Sequence, residues 1–324
     1  MLYNLIRASI TSESSYRSGV KRYVDFCTQH NLQWFTNSQE ELTTRARYYI
    51  AYLSCEGLTG NTITGYLHAW NWLLAASNRP TLDTQNLAIS ILIRGATRLA
   101  TASNGTSGTA PNRGPRTPLM PWHLLLLREK VNLEKQDQAE LWWTIIAAWT
   151  GLMRLQDYTV PPGGAPTVLN KHLTMVKMQQ HTVLRVEIPK SKTDQQRLGA
   201  VIFLGPTSDE RLCPIRAFLR VRAFHQQPDA ALFTNEYSRP LQRRQFEQHF
   251  QQLLVSCGLD GQRFSSHSLR RGGATTRFLA KHSPEQIRRQ GRWASQSNTW
   301  QRYVDPSAND IALFQRSPIA MWSV

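Results

Sequence analysis

His267 and Arg270 lie three residues apart in a segment that also holds Arg271, Gly272, Gly273, Trp293 and Tyr303. Residues three apart on a helix share one face, so an imidazole and a guanidinium would be presented side by side. Ser265 or Ser266 could cap such a helix, whose N-terminal amides favour phosphate. Splitting and rejoining a phosphodiester without an external energy source needs these side-chain types. A protein nucleophile must keep the bond energy in a covalent ester. Cationic, fork-shaped donors must offset the extra charge on the non-bridging oxygens. The leaving oxygen needs an acid. Tyr303 suits the first role, although its reference pKa of about 10 means that neighbouring cations and a proton acceptor must activate it. Gly272 and Gly273 mark a place where another backbone can approach closely.

Upstream, the segment TGLMRLQDYTV supplies Arg154 and Asp157, and the basic turn PKSKTDQQRLG supplies Lys190 and Lys192. Each signal has a plain reading when taken alone. Arg154 could be a helix-end arginine paired locally with Asp157. The two lysines could be a solvated hairpin tip. Trp293 could be a core tryptophan and Tyr303 a half-buried helix residue.

The order Arg154, Lys192, His267, Arg270, Trp293, Tyr303, with the string HSLRRGGAT, resembles the catalytic set of the tyrosine recombinases, the family of Cre, lambda integrase and the Xer recombinases. The likeness covers about residues 119–315 and is looser over the first hundred. The spacing from Trp293 to Tyr303 is one residue longer than in Cre. The resemblance implies a mainly α fold with a small β-sheet: a helical core-binding domain followed by a mixed α/β catalytic domain, closing as a clamp on double-stranded DNA. It implies that Arg154 and Arg270 hold the scissile phosphate with help from Trp293, and that Tyr303 attacks to form a 3′-phosphotyrosine. Lys192 would protonate the 5′-oxygen, with Lys190 its competitor. His267 would assist proton transfer, and Asp157 would support the site from behind. Metal and nucleotide cofactors are not required. Four protomers would assemble on two DNA sites, with the apolar C-terminal tail packed into a neighbour. A DNA-binding protein of the same fold without cleavage, and a type IB topoisomerase-like enzyme, are the alternatives.

The bulk properties agree with a polyanionic partner. The chain has 324 residues, 41% of them hydrophobic, and a net charge of +16, which suits nucleic acid. Residues 1–100 carry 9 Lys and Arg against 6 Asp and Glu, and residues after 118 carry 27 against 16. Cys27, Cys55, Cys213 and Cys257 form no metal-ligand spacing and read as buried reduced thiols of an intracellular protein. A bacterial cytoplasm or nucleoid and a eukaryotic nucleus both fit. No run reaches the roughly 18 apolar residues of a membrane span.

The elements that must position these residues follow from periodicity. Residues 1–100 read as four helices, Ser12–His30, Gln39–Cys55, Asn61–Ala76 and Thr84–Leu99. In the last, Leu87, Ile91, Leu92 and Leu99 form the apolar side, with Arg94 and Arg98 opposite as candidate DNA contacts. Residues 101–118 are rich in Gly, Ser, Thr and Pro and read as a flexible linker. Residues 119–324 begin with helices at Trp122–Glu129 and Asp137–Thr150, the second apolar on most sides and ended by Gly151. Strands follow at Leu173–Lys177, Thr182–Ile188 and Ala200–Leu204. Helices resume at Cys213–Gln226, Leu241–Gly258, Ser266–Lys281, Pro284–Gln290 and Ala294–Val304, then Ala308–Phe314. Arg271, next to the His267 box, is expected to face DNA backbone or surface.

Overall fold

The computed structural model describes residues 13–103, 116–178, 180–190 and 199–308. Most of the expected linker, Lys192, and the tail from residue 309 lie outside the described residues. The chain divides into two compact units, Met1–Asn112 and Arg113–Val324.

The first unit is helical, with α1 (Glu13–Gln29), α2 (Gln39–Cys55), α3 (Gly60–Ala76) and α4 (Leu87–Ser103). Its core is aromatic: Tyr23 stacks on Trp70 with centroids 4.4 Å apart, and Tyr49 meets Tyr23 edge-on. Arg45 is buried beneath them, donating to the Tyr23 hydroxyl and the Gln33 carbonyl and pairing with Glu41. Ser38 caps α2 by accepting the Glu41 N–H.

The apolar face of α4 differs from expectation. Ile89 and Ala96 are buried, with Leu92 and Ile93 packed beside them. Leu87, Ile91 and Leu99 are exposed, as are Arg94 and Arg98. Positions 87, 91, 94 and 98 run along one line of the helix, so the arginines share a face with Leu87 and Ile91. The opposite line wins because α2 and α3 pack there: a Cβ on Gly60 would stand 2.8 Å from the Ile93 carbonyl oxygen.

The second unit is built around α6 (Gln136–Thr150), which follows α5 (Pro121–Glu129). Trp142, Trp143, Ile145, Ile146, Ala147, Ala148 and Trp149 are all buried, so α6 is surrounded by protein. A short helix, α7 (Leu155–Tyr158), comes next. Then β1 (Leu173–Met178), β2 (His181–Ile188) and β3 (Ala200–Leu204) form an antiparallel sheet in that order. The register pairs Leu184 with Leu204 and Val186 with Ile202, placing these four side chains in the core. After the sheet come α8 (Pro214–Val221), α9 (Arg243–Ser256), α10 (Ser266–Leu279) and α11 (Pro284–Gly291), then a 3-10 turn at Asn298–Tyr303.

Two expected helices are shorter than their sequences suggest. The segment from Cys213 to Gln226 is α8 plus a 3-10 turn at Arg222–Phe224, and His225 beyond it reaches the buried Glu140 carboxylate at 3.1 Å. The segment Ala294–Val304 holds only the 3-10 turn. The Ser297 hydroxyl starts that turn by accepting the Thr299 N–H. The Thr275 hydroxyl receives the Asp305 N–H and donates to the Tyr303 carbonyl, drawing the chain out again.

The two glycines of the His267 helix let α10 sit against backbone. A Cβ on Gly272 would lie 1.8 Å from the Leu119 carbonyl oxygen, and one on Gly273 would lie 2.1 Å from that of Trp149. The same Leu119 carbonyl accepts the Trp149 indole N–H at 2.8 Å, and the Leu119 N–H donates to Ser268. Of the cysteines, Cys27 and Cys213 are buried, whereas Cys257 is half-buried and Cys55 is exposed, so burial does not describe all four. Among the described residues no helix is long and apolar enough to cross a membrane.

Candidate active site

Three stretches of the second unit meet at one place: the end of α6 with α7, the first turns of α10, and the chain from the end of α11 to Tyr303. Helix α6 stops at Gly151, but the left-handed residue is Leu152, with φ of 47°. Arg154 then caps α7. Its backbone N–H donates to the Asp157 carboxylate at 2.6 Å. Asp157 is itself buried.

Helix α10 presents His267 and Arg270 on one face, as their spacing predicts. Ser265 is the N-cap, and the Ser268 hydroxyl accepts its backbone N–H. Arg270 is 2% exposed. Its guanidinium donates to the Leu152 carbonyl and, at 2.6 Å, to the Gly291 carbonyl. Its central carbon lies 4.2 Å from the Trp293 ring centroid and 5.1 Å from that of Tyr303, a cation–π arrangement.

Trp293 packs into a small core with Leu152, Ala274, Ile287 and Trp300, so the reading of Trp293 as a core residue holds beside its place in the site. Tyr303 closes the group. Its ring lies 4.9 Å from that of His267 and 5.0 Å from that of Trp293. Gly291 is required by this packing, because a Cβ there would fall 1.7 Å from the Trp293 ring.

The electrostatics are those of an anion site. Burial, then the neighbouring Arg154 and Arg292 charges, push Arg270 down to about 9, still protonated at neutral pH. Burial and Arg292 lower Arg154, while Asp157 and Tyr303 act in the opposite sense. Burial and then the cations Arg270, Arg271 and Arg116 lower His267, which favours its neutral imidazole. A phosphate placed here would relieve the repulsion among the guanidiniums.

The remaining expected residues fare differently. Lys190 is exposed just beyond β2, and Lys192 lies outside the described residues. Arg271 is not a surface residue: it is buried and turned toward Asp305, 3.9 Å away. On α10 the residue after Arg270 faces the chain that follows Tyr303, and Asp305 offers it an opposite charge. Arg94 and Arg98 belong to the first unit and are exposed. One residue of the cluster was missed. Arg292 pairs with Asp157 through a buried contact between guanidinium and carboxylate. Its only signal in the sequence is its place between Gly291 and Trp293.

Residues 172–310 match the model of the phage integrase family. The match takes in His267, Arg270, Trp293 and Tyr303, and leaves Arg154 and Asp157 before its start. The fold is similar to that of the XerH site-specific recombinase bound to palindromic difH substrate. That likeness has a TM-score of 0.57 and 16% identity, over 89% of this chain and 74% of that one. It is also similar to the Tn1549 transposon integrase in complex with circular intermediate DNA, with a TM-score of 0.56 and 14% identity over 97% of each chain. No curated protein matches the chain by sequence.

Proposed function

We propose that the chain is a tyrosine recombinase that cuts and rejoins double-stranded DNA at a specific site with Tyr303 as nucleophile, a reading supported by the match of residues 172–310 to the phage integrase family. The observation that carries this reading is the meeting of Arg270, Trp293, His267 and Tyr303 within ring-contact distance.

In this mechanism Arg154 and Arg270 face the non-bridging oxygens of the scissile phosphate and offset their growing charge. The Tyr303 hydroxyl oxygen attacks phosphorus, and the bond from phosphorus to the 5′-oxygen breaks. A 3′-phosphotyrosine remains. Neutral His267, with a lone pair on one ring nitrogen, takes the tyrosine proton. Lys192 protonates the departing 5′-oxygen, with Lys190 as the competing donor. The 5′-hydroxyl of a partner strand then attacks the phosphotyrosine and releases Tyr303, so bond energy is conserved throughout.

The first unit serves as the core-binding domain and the second as the catalytic domain, joined through residues 101–118. Exposed Arg94 and Arg98 contact the DNA backbone. Four protomers act on two sites, and the apolar tail packs into a neighbour, so deleting residues 316–324 should abolish strand exchange. Unchanged recombination by that deletion would remove the tail from the assembly. The protein works wherever its DNA is kept, in a cytoplasm with its nucleoid or in a nucleus.

Covalent trapping tests the chemistry. Wild type and Tyr303→Phe are incubated with a pool of nicked duplexes and denatured. An adduct in wild type alone, mapped to Tyr303, is the expected result. Adducts in both proteins would move the nucleophile elsewhere. Salt-sensitive binding without any adduct, across a pool covering all short sequences, would favour a non-cleaving binder. Relaxation of plasmids by isolated monomers without strand exchange would favour a topoisomerase.

A further inference from the structure

We propose that Arg292 is a positioning residue that holds the charge of Asp157, so that this carboxylate does not draw the cations that act on the scissile phosphate. This rests on the cleavage reading above and deepens it.

Asp157 has one task that needs it buried: it receives the Arg154 backbone N–H and so shapes the start of α7. A buried carboxylate draws any nearby cation to itself. Arg154 and Arg270 are both close enough for Asp157 to act on their charge. A guanidinium drawn onto the carboxylate would be lost to the phosphate, and Arg270 is already held by the Leu152 and Gly291 carbonyls. Arg292 removes that competition. Its guanidinium takes the Asp157 oxygen, with the two side chains 6% and 0% exposed.

The backbone points the same way. Arg292 ends α11 in the left-handed region, with φ of 55° and ψ of 43°. Its N–H bonds to the Arg289 carbonyl and the next N–H to that of Arg288. Glycine is the ordinary residue at such a helix end, because a side chain is strained there. The chain instead spends its glycine one place earlier, at Gly291, where the Trp293 ring demands it. An arginine kept at a strained position, with its charge consumed inside the protein, is accounted for by the carboxylate it covers. Three guanidiniums and one carboxylate then leave two positive charges for the phosphate.

The test uses the full-length protein and the nicked duplex that wild type traps. Single-turnover cleavage and duplex affinity are measured for Arg292→Met, Arg292→Lys, Asp157→Asn and the double variant. Arg292→Met should cleave roughly 100-fold more slowly with affinity within about threefold of wild type, since the damage falls on charge placement at the reacting phosphate. Arg292→Lys should recover at least about tenfold of that loss, because it restores the charge. In the Asp157→Asn background there is no carboxylate to cover, so adding Arg292→Met should cost no more than about threefold. A wild-type rate for Arg292→Met would overturn the proposal. So would an equal loss in both backgrounds, which would mean that Arg292 acts on DNA directly. Should Arg292→Met fail to fold, the double variant, which buries neither charge of the pair, decides the matter against Asp157→Asn: a further loss of no more than about threefold keeps the proposal, and a larger one overturns it. Failure of wild type to form any adduct would instead count against the cleavage reading itself.

Discussion

The Arg270 guanidinium lies over the Trp293 indole, its central carbon 4.2 Å from the ring centroid, while its nitrogens bond the carbonyls of Leu152 and Gly291. One side chain thereby ties the end of α6 to the end of α11 and supports the ring that borders Tyr303. The group is charged but poorly solvated, and its nearest cations repel it. An incoming phosphate is the ligand that such an arrangement favours.

Lysine at this position keeps the charge but loses the planar fork. Arg270→Lys should therefore lower single-turnover cleavage by roughly 100-fold or more. It should also destabilise the fold by about 1–3 kcal/mol, because buried carbonyls lose their donors. Cleavage rates and urea unfolding, measured on the same preparation, check both. A variant as stable and as active as wild type would show that the guanidinium geometry is unimportant.

Gly272 and Gly65 should respond oppositely to alanine. At Gly272 the new methyl meets the Leu119 carbonyl, a backbone atom that cannot step aside. Overpacking of this kind costs about 1–3 kcal/mol or more. At Gly65, inside α3, nothing lies within 4 Å of the added carbon. Alanine there should stabilise by roughly 0.5–1 kcal/mol through helix propensity. Urea midpoints of the two variants, compared with wild type, should move in opposite directions.

His123 sets an acid limit on the second unit. Its Nδ1 accepts the Met120 N–H at 3.1 Å at the start of α5, which requires the neutral ring. Burial, and then the Arg263 charge, push it down to about 4, below the unfolded value of about 6.5. Between those values the unfolded chain binds a proton that the folded protein excludes. Its contribution is therefore complete above about pH 6.5 and is lost progressively as pH falls toward 4. His123→Asn keeps a side-chain acceptor without the titration. The gap in urea midpoint between wild type and this variant should shift against wild type over that window. A gap independent of pH would exclude His123 as the cause.

The leaving-group proton separates the two lysines. A duplex with sulfur in place of the bridging 5′-oxygen has a leaving group that needs no acid. Lys192→Ala should lose at least about 100-fold in cleavage of the ordinary duplex and regain nearly all of it with the sulfur substrate. Lys190→Ala should lose little on either. The reverse pattern would assign the acid to Lys190.

Much of the second unit was legible because its signals are local. The Val, Leu and Ile of β2, the helix of α6 apolar on most sides and the three-residue spacing of His267 and Arg270 are properties of single segments. The Gly-Gly pair announced a close approach, and the structure supplies the two carbonyls that make it. In α4, by contrast, two apolar lines satisfy the helical period equally well. Packing against α2 and α3, with Gly60 close to Ile93, selects Ile89 and Ala96 for burial.

The sequence by itself determined which chemical groups are present, the order of the helices and strands, and the match of residues 172–310 to the phage integrase family. Tertiary structure decided which arginines matter to one another. Arg271 adjoins Arg270 along the chain, yet it turns away to Asp305. Arg292, with nothing in its own segment to mark it, meets Asp157 from 135 residues away. The reason is physical: periodicity and charge belong to one segment, whereas burial and pairing depend on which other segment arrives, and at what backbone angle.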